Sequence, residues 1–510
     1  MIDSGFKINK MDFYYDRAIR DDYIEIADKC TNGFLFLWNK LYLDENLCDG
    51  NVFFYKFQGD NAETQTIYLY SLDYLSYVLT VYKETGKELY KNTFDKYINQ
   101  FYEFIKTEGP FYDDLSVMGQ ILCFIKALDI LGEIPYQDYF EKLMLHYADW
   151  LADEKNHKFI NNHELFWDIS LLHISVLFNK HPKSNEWQNY AIECINKMFS
   201  LAYNNDYTNN ENCLRYFELN NVLYSSIIDF CRHYNINSIN KINASLEKAK
   251  DALVTFAHKD GSFPIIGDGA VFYGKSNKCS QLFSDMGTAV IKINDVYLTF
   301  KAKTNCQSHA HIDVSSITAR HKDIDFIIDP GQYNYDKYTP INRFLHSSAG
   351  HSGIFPLFAD GMFQKEFCEV VSYSEITEYK HNEKESYVKG EYHILDIKVC
   401  REINIYENEI IIKDSWKCDN PTTMRQRFII PKELIEHSKF TASKRTLESH
   451  VENCSFKFEI IPVSETALTE VQFGVAASKY YEYETTMILD TYLENSTTGE
   501  IIAKITFREE

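Results

Sequence analysis

The chain has 510 residues, with 52 Lys and Arg against 74 Asp and Glu, a formal net charge of −22. Such an acidic chain lacks the positive field by which proteins bind DNA, RNA or anionic lipid non-specifically. Hydrophobic residues at 45% and charged residues at 25% exclude wholesale disorder, and a chain this long divides into about two to four domains.

The first stretch, Met1 to Tyr23, has no apolar core and no small-residue cleavage site, so it reads as lacking a secretory signal. The 12 cysteines show no CxxC spacing, which excludes a zinc-finger framework. Together these features predict reduced thiols and a cytoplasmic location. The most apolar run, Leu115 to Leu131, is broken by Gln120, Lys126 and Asp129, so no membrane span is expected.

Between Gly132 and Gly261 there is no glycine, and only Pro135 and Pro182 interrupt the run. Leu115, Met118, Leu122, Ile125 and Leu128 recur at helical spacing. Leu165, Ile169, Leu172 and Val176 do the same, as do Val222, Ser225, Ile228 and Cys231. The spacing predicts stacked antiparallel helix pairs, with residues from about 20 to 258 all helical. Past Gly261 the period shortens. Thr288 to Asn294, Val296 to Lys301, Ile403 to Tyr406, Glu409 to Lys413, Arg427 to Ile430, Ser455 to Ile461 and Ile501 to Phe507 read as short strands of an antiparallel sandwich. The predicted organisation is therefore helical over 1–260 and an antiparallel β-sandwich over 261–510.

Five of the 16 histidines (His309, His311, His321, His346 and His351) crowd into one short segment. Ser308-His309-Ala310-His311-Ile312-Asp313 reads as a strand that would put His309 and His311 on one face. Asp329 follows the next β-rich run, just before Pro330-Gly331, and His351 follows a polar loop. Two histidines and one carboxylate with an open position make a plausible zinc set, so His311, Asp329 and His351 are candidate ligands.

These motifs carry a family resemblance. Gly261 to Asp268, Ser308 to Asp313, Asp329-Pro330-Gly331-Gln332-Tyr333-Asn334-Tyr335 and Arg343 to His351 resemble the heparinase II/III-like polysaccharide lyases. That resemblance implies an N-terminal (α/α) toroid followed by a C-terminal antiparallel β-sandwich. It also implies an Asn-His pair at the start of a toroid helix, matched by Asn162 and His163. A Glu and a Tyr five residues on are matched by Glu211 and Tyr216. The match departs from the family at Asn205-Asp206, where Asp-Gly is usual, at Phe217 in place of a His, and at Phe166 in place of an acidic residue that some relatives carry.

The implied reaction is β-elimination in a uronic acid-containing polysaccharide or oligosaccharide. The enzyme must neutralise the substrate carboxylate, take the C5 proton and protonate the leaving oxygen. By resemblance, Asn162 and His163 hydrogen-bond the carboxylate. Tyr216 protonates the leaving group, and Tyr216 or His309 serves as base according to the epimer. A divalent metal of the zinc class at His311, Asp329 and His351 orders the loop around His309. Trp167, Tyr335 and Arg343 are candidate substrate contacts, along with Tyr333. The partner is then an anionic polysaccharide or oligosaccharide, drawn by local positive charge from Arg215, Lys303, Arg320, Lys337 and Arg343 between toroid and sandwich. Three other readings use the same residues. One is a glycoside hydrolase, for which Asp113, Asp114 and Glu164 are available but not visibly paired. Another is a non-catalytic carbohydrate-binding or assembly protein of this fold, and the last is a metal-dependent hydrolase. Oligomeric state is not legible.

Overall fold

The computed structural model describes residues 11, 13–15, 20–38, 41–59, 61–158, 163–236, 239–304, 309–336, 338–451, 454–462 and 466–509. The chain divides into two compact units. One comprises Met1–Ala202 with Val222–Ala244, the other Tyr203–Asn221 with Ser245–Glu510.

The first unit is built from α1 (Tyr23–Thr31), α2 (Ala62–Ser71), α3 (Asp73–Thr85), α4 (Glu88–Glu108), α5 (Asp114–Leu131), α6 (Gln137–Leu151), α7 (His163–Leu177), α8 (Ser184–Ala202) and most of α9 (Leu214–His233). Their burial sorts them into layers. The segments Ser116 to Leu128 of α5 and Glu164 to Leu177 of α7 are buried at every position, as expected for helices apolar on all sides. Helices α4, α6 and α8 bury one face only. The inner helices α3, α5 and α7 pack side by side, and α4, α6 and α8 pack against them. Asp113 caps α5 by accepting from the Ser116 amide at 3.0 Å. Among the described residues no helix is long and apolar enough to cross a membrane.

Two sequence expectations need correcting in this unit. It is not purely helical: Gly33, at φ +87°, ends α1 and leads into a hairpin of β1 (Phe34–Trp38) and β2 (Leu41–Asp44). And Val222, expected on the buried face of α9, is 43% exposed, while its neighbours Leu223 and Tyr224 are buried instead.

The second unit takes α10 (Asn240–Phe256) from Ser245 onward and then two antiparallel sheets. The smaller has the order β3 (Gln281–Phe283), β4 (Thr288–Ile293), β5 (Val296–Lys301), β6 (Ile317–His321) and β7 (Ile324–Ile327). The larger contains β8 (Ile354–Pro356), β9 (Val371–His381), β10 (Glu385–Ile394), β11 (Ile397–Tyr406), β12 (Glu409–Ile430), β13 (Ser438–Thr441), β14 (Thr446–Val451), β15 (Cys454–Pro462), β16 (Leu468–Lys479) and β17 (Glu482–Glu509). Strands β10 and β11 and the first half of β12 alternate buried with more exposed residues, the pattern of a sheet with one covered face. Their inward side chains, such as Val388, Ile403 and Ile412, share one apolar core with Ile291, Leu298 and Phe300 of the small sheet. The two runs expected as separate strands at Glu409 and Arg427 are one strand. Pro421 lies between them, where the ladder to β17 shifts register, so its missing N–H breaks no regular pair.

Three arginines of the large sheet are buried and reach into loops. Arg401 binds Asp414 at 2.6 and 2.7 Å and donates to the carbonyls of Ser315 (2.8 Å) and Ser352 (2.9 Å). Arg425 donates to the Ser348 carbonyl, and Arg427 pairs with Asp490 and donates to the Ala349 carbonyl. The backbone on both sides of His351 is thereby held by charge-assisted bonds. Both members of the Arg401–Asp414 pair are fully buried. Asp414→Ala should therefore lower the unfolding free energy by about 3–5 kcal/mol, because it strands a buried cation, and urea denaturation measures the loss.

Candidate functional site

The centre of the site is a carboxylate to which the sequence reading gave no role. Asp268 is buried, at 6% exposure, and three histidines surround it. His309 Nδ1 lies 2.9 Å from Oδ2, His311 Nε2 lies 2.8 Å from Oδ1, and His346 Nε2 lies 3.4 Å from Oδ1. Burial alone would raise the Asp268 pKa, but the bonds from His309 and His311 win and hold it below the ordinary carboxylate range. The same pairing raises His311 against its own burial, while burial and the neighbouring His311 push His346 down to about 3.

Local backbone makes this possible. Gly267 has φ +70°, and a Cβ there would sit 2.7 Å from the His309 carbonyl oxygen. The Asp268 amide donates to that same carbonyl at 3.0 Å. Only glycine lets the two segments approach so closely. The expected strand at His309 and His311 is absent. His309 sits in a turn with φ +68°, and the segment after it is a loop between β5 and β6. The two histidines share Asp268 through loop geometry and not through strand alternation.

Tyr216, at the start of α9, lays its ring on that of His309, with centroids 3.6 Å apart and planes at 14°. Its hydroxyl lies 2.7 Å from that of Tyr335, which lies 3.2 Å from that of Tyr480. Burial first, then Tyr335 and Tyr480, push the Tyr216 hydroxyl well above the ordinary phenol range. Glu211 Oε2 lies 3.7 Å from His309 Nε2. The imidazole is thus bracketed by carboxylates at both nitrogens.

Two groups within this unit have metal-ligand geometry: His311 with Asp329 and His351, and Asp268 with His311 and His346. In each, the ligand atoms lie within 4.8 Å of one another. Asp329 Oδ2 is 3.0 Å from His351 Nδ1. His311 Nδ1 and His351 Nε2 are buried and have no hydrogen-bond partner, so the donor set suits a divalent cation. His311 belongs to both groups and connects them.

The remaining expected residues fall elsewhere. His163 opens α7 in the helical unit, its Nδ1 2.9 Å from Asp114 Oδ2 and its side chain 44% exposed. Asn162 lies outside the described residues, as does Lys337. Trp167, expected to meet substrate, is packed in the helical core: its Nε1 donates to the Leu151 carbonyl and its ring stacks on Trp150 at 4.2 Å. Arg343 is exposed, its guanidinium 4.8 Å over the Phe363 ring. Tyr333 makes edge contacts with Tyr481 and Tyr483. Of the other expected positive charges, Arg320 turns inward to Asp260 and His258, Lys303 donates to the Asp285 carbonyl, and Arg215 pairs with Glu218. The carboxylates considered for glycoside hydrolysis are also engaged: Asp113 as a cap, Asp114 with His163, and Glu164 with His157.

Sequence reasoning missed Asp268, His346 and Tyr480. Asp268 carried a signal in its two flanking glycines, Gly267 and Gly269, both at positive φ. His346 belonged to the histidine cluster. Tyr480 comes from the distant turn between β16 and β17 and left no local trace.

The family model described as Heparinase II/III-like, C-terminal, matches residues 275–459. No curated protein matches the sequence. Among solved structures, heparinase III superposes with TM-score 0.84 at 12% identity, over 99% of this chain and 87% of that one. The heparan sulfate lyase HepC from Pedobacter heparinus gives 0.69 at 13% identity, over 98% and 85%. The chondroitin AC lyase from Streptomyces coelicolor A3, solved with chondroitin sulphate, gives 0.58 at 7%, over 96% and 80%. At these identities the likeness is one of fold, and the fold is that of polysaccharide lyases with a helical toroid ahead of β-sheets. Residues 275–459 thus match the heparinase II/III-like C-terminal domain, within a fold shared with heparinase III over nearly the whole chain.

Proposed function

We propose that the protein is a polysaccharide lyase that cleaves a uronic acid-containing polysaccharide or oligosaccharide by β-elimination. The observation that carries this reading is the Tyr216–His309 stack, with Asp268 on the far nitrogen of the imidazole. His309 is the base. Asp268 accepts from Nδ1–H and so leaves the lone pair on Nε2, and the imidazolium formed on taking the C5 proton sits between Asp268 and Glu211. Tyr216 is the acid: a phenol whose proton is held well into the alkaline range can donate to the leaving oxygen. The electron pair of the broken C5–H bond forms the new double bond, and the C4–O bond breaks to release the sugar. Tyr335 holds the Tyr216 hydroxyl in place. For Asn162 and His163 the proposed role is the one the resemblance implies, a hydrogen bond to the substrate carboxylate.

Within the same reading, His311, Asp329 and His351 hold a divalent metal of the zinc class. Bound there, the metal would fix the loop that carries His309.

Ultraviolet absorbance of an unsaturated uronate, screened over anionic polysaccharides, tests the reaction. The wild-type chain should produce it on at least one uronate polymer. Tyr216→Phe should reduce the rate by about 10²-fold or more while leaving the fold intact, because only one hydroxyl is lost. Absence of the chromophore on every uronate polymer, or full activity in Tyr216→Phe, would count against the reading. Chelation should lower the melting temperature, and added Zn²⁺ should restore it. His351→Ala should diminish that metal response and lower the bound metal by one equivalent per chain, as followed by thermal unfolding and metal analysis.

A further inference from the structure

A second cluster of ligand-type side chains lies in the helical unit and has no part in the chemistry above. Asp168, on the inner helix α7, is completely buried. Neither of its carboxylate oxygens has a hydrogen-bond partner, and among the described residues no basic side chain lies within ion-pair distance. An ionised carboxylate in such a place carries a large desolvation penalty unless something compensates it.

The neighbours of Asp168 identify what that is. Glu164 precedes it by one helical turn on the same face of α7 and is 7% exposed. His157, 8% exposed, lies in the segment between α6 and α7. Its Nε2 is 3.0 Å from the Leu151 carbonyl, which only accepts, so Nε2 carries the hydrogen and the ring's lone pair is on Nδ1. That Nδ1 is 3.4 Å from Glu164 Oε2. Cys194, on α8, is 2% exposed. One ligand atom each from His157, Asp168 and Cys194 lies within 4.8 Å of the others. A proton on Asp168 would add a single donor to this cluster. A divalent cation would answer an imidazole nitrogen, a thiolate sulfur and carboxylate oxygens together. The rings of Trp167 and Tyr190 lie 5.0 and 5.4 Å from that of His157.

We propose that His157, Asp168 and Cys194, with Glu164 beside them, form a structural binding site for a divalent metal of the zinc class. It ties the segment ahead of α7 to both α7 and α8. On binding, the Cys194 thiol gives its proton to solvent and coordinates as thiolate.

The test uses Co²⁺ on the metal-free full chain. Thiolate bound to Co²⁺ gives a near-ultraviolet charge-transfer band that imidazole and carboxylate ligands do not give. The groups at Asp268 and Asp329 contain no cysteine, so they do not contribute to it. Wild type should show the band, and His311→Ala should keep it. Cys194→Ser should lose the band together with one equivalent of bound metal per chain. Asp168→Asn should weaken Co²⁺ binding at this site by about 10-fold or more. Circular dichroism checks that each variant is folded. If Cys194→Ser is not, the wild-type, His311→Ala and Asp168→Asn spectra decide the matter. A wild-type spectrum without the band, a band undiminished in folded Cys194→Ser, or unchanged Co²⁺ affinity in Asp168→Asn overturns the proposal.

Discussion

A buried carboxylate held by imidazoles is the constraint on which the candidate site depends. Asp268 has almost no solvent to stabilise its charge, so its partners must do so. His309 and His311 take one oxygen each, and His346 approaches the second of these. This fixes which nitrogen of His309 faces outward and holds the ring where Tyr216 can stack on it. The arrangement also couples the two proposed tasks. His311 touches Asp268 on one side and belongs to the Asp329–His351 ligand group on the other, so a change at the proposed metal site is felt at the proposed base through one side chain.

Such a site needs rigid support, and the large sheet provides it. Arg401, Arg425 and Arg427 run inward from β11 and β12, each with a carboxylate partner. Their remaining N–H groups bind carbonyls at Ser315, Ser348, Ala349 and Ser352. The loops that bear the histidines are irregular, and their backbone acceptors are met by these side chains where a strand ladder would otherwise meet them. A loop alone would place His351 and the turn at His309 with far less precision.

The fold was largely legible because its signals are local. The change from helical to alternating periodicity near Gly261 follows from which faces are buried, and burial governs composition. The hairpin at Phe34 was hidden because a short aromatic and leucine-rich run fits either period. Within the site, the close histidines and the Asp-Pro-Gly turn could be seen because they are near in sequence. Asp268 lies about forty residues away from the histidines it holds, and only tertiary contact joins them. Trp167 misled for a related reason: an aromatic side chain reads the same whether it faces sugar or core, and the Leu151 carbonyl decides it. Charge gave a mixed lesson. The net −22 says nothing about any one surface, and of the positive residues singled out near the motifs, Arg320 is buried and Lys303 and Arg215 bind neighbours.

The central claim is that His309 and Tyr216 carry out an elimination and not a hydrolysis. Mass spectrometry of the fragments from a defined uronate oligosaccharide tests this most directly. Elimination divides the substrate without adding water, so the masses of the two products should sum to that of the substrate. A sum larger by one water would contradict the account.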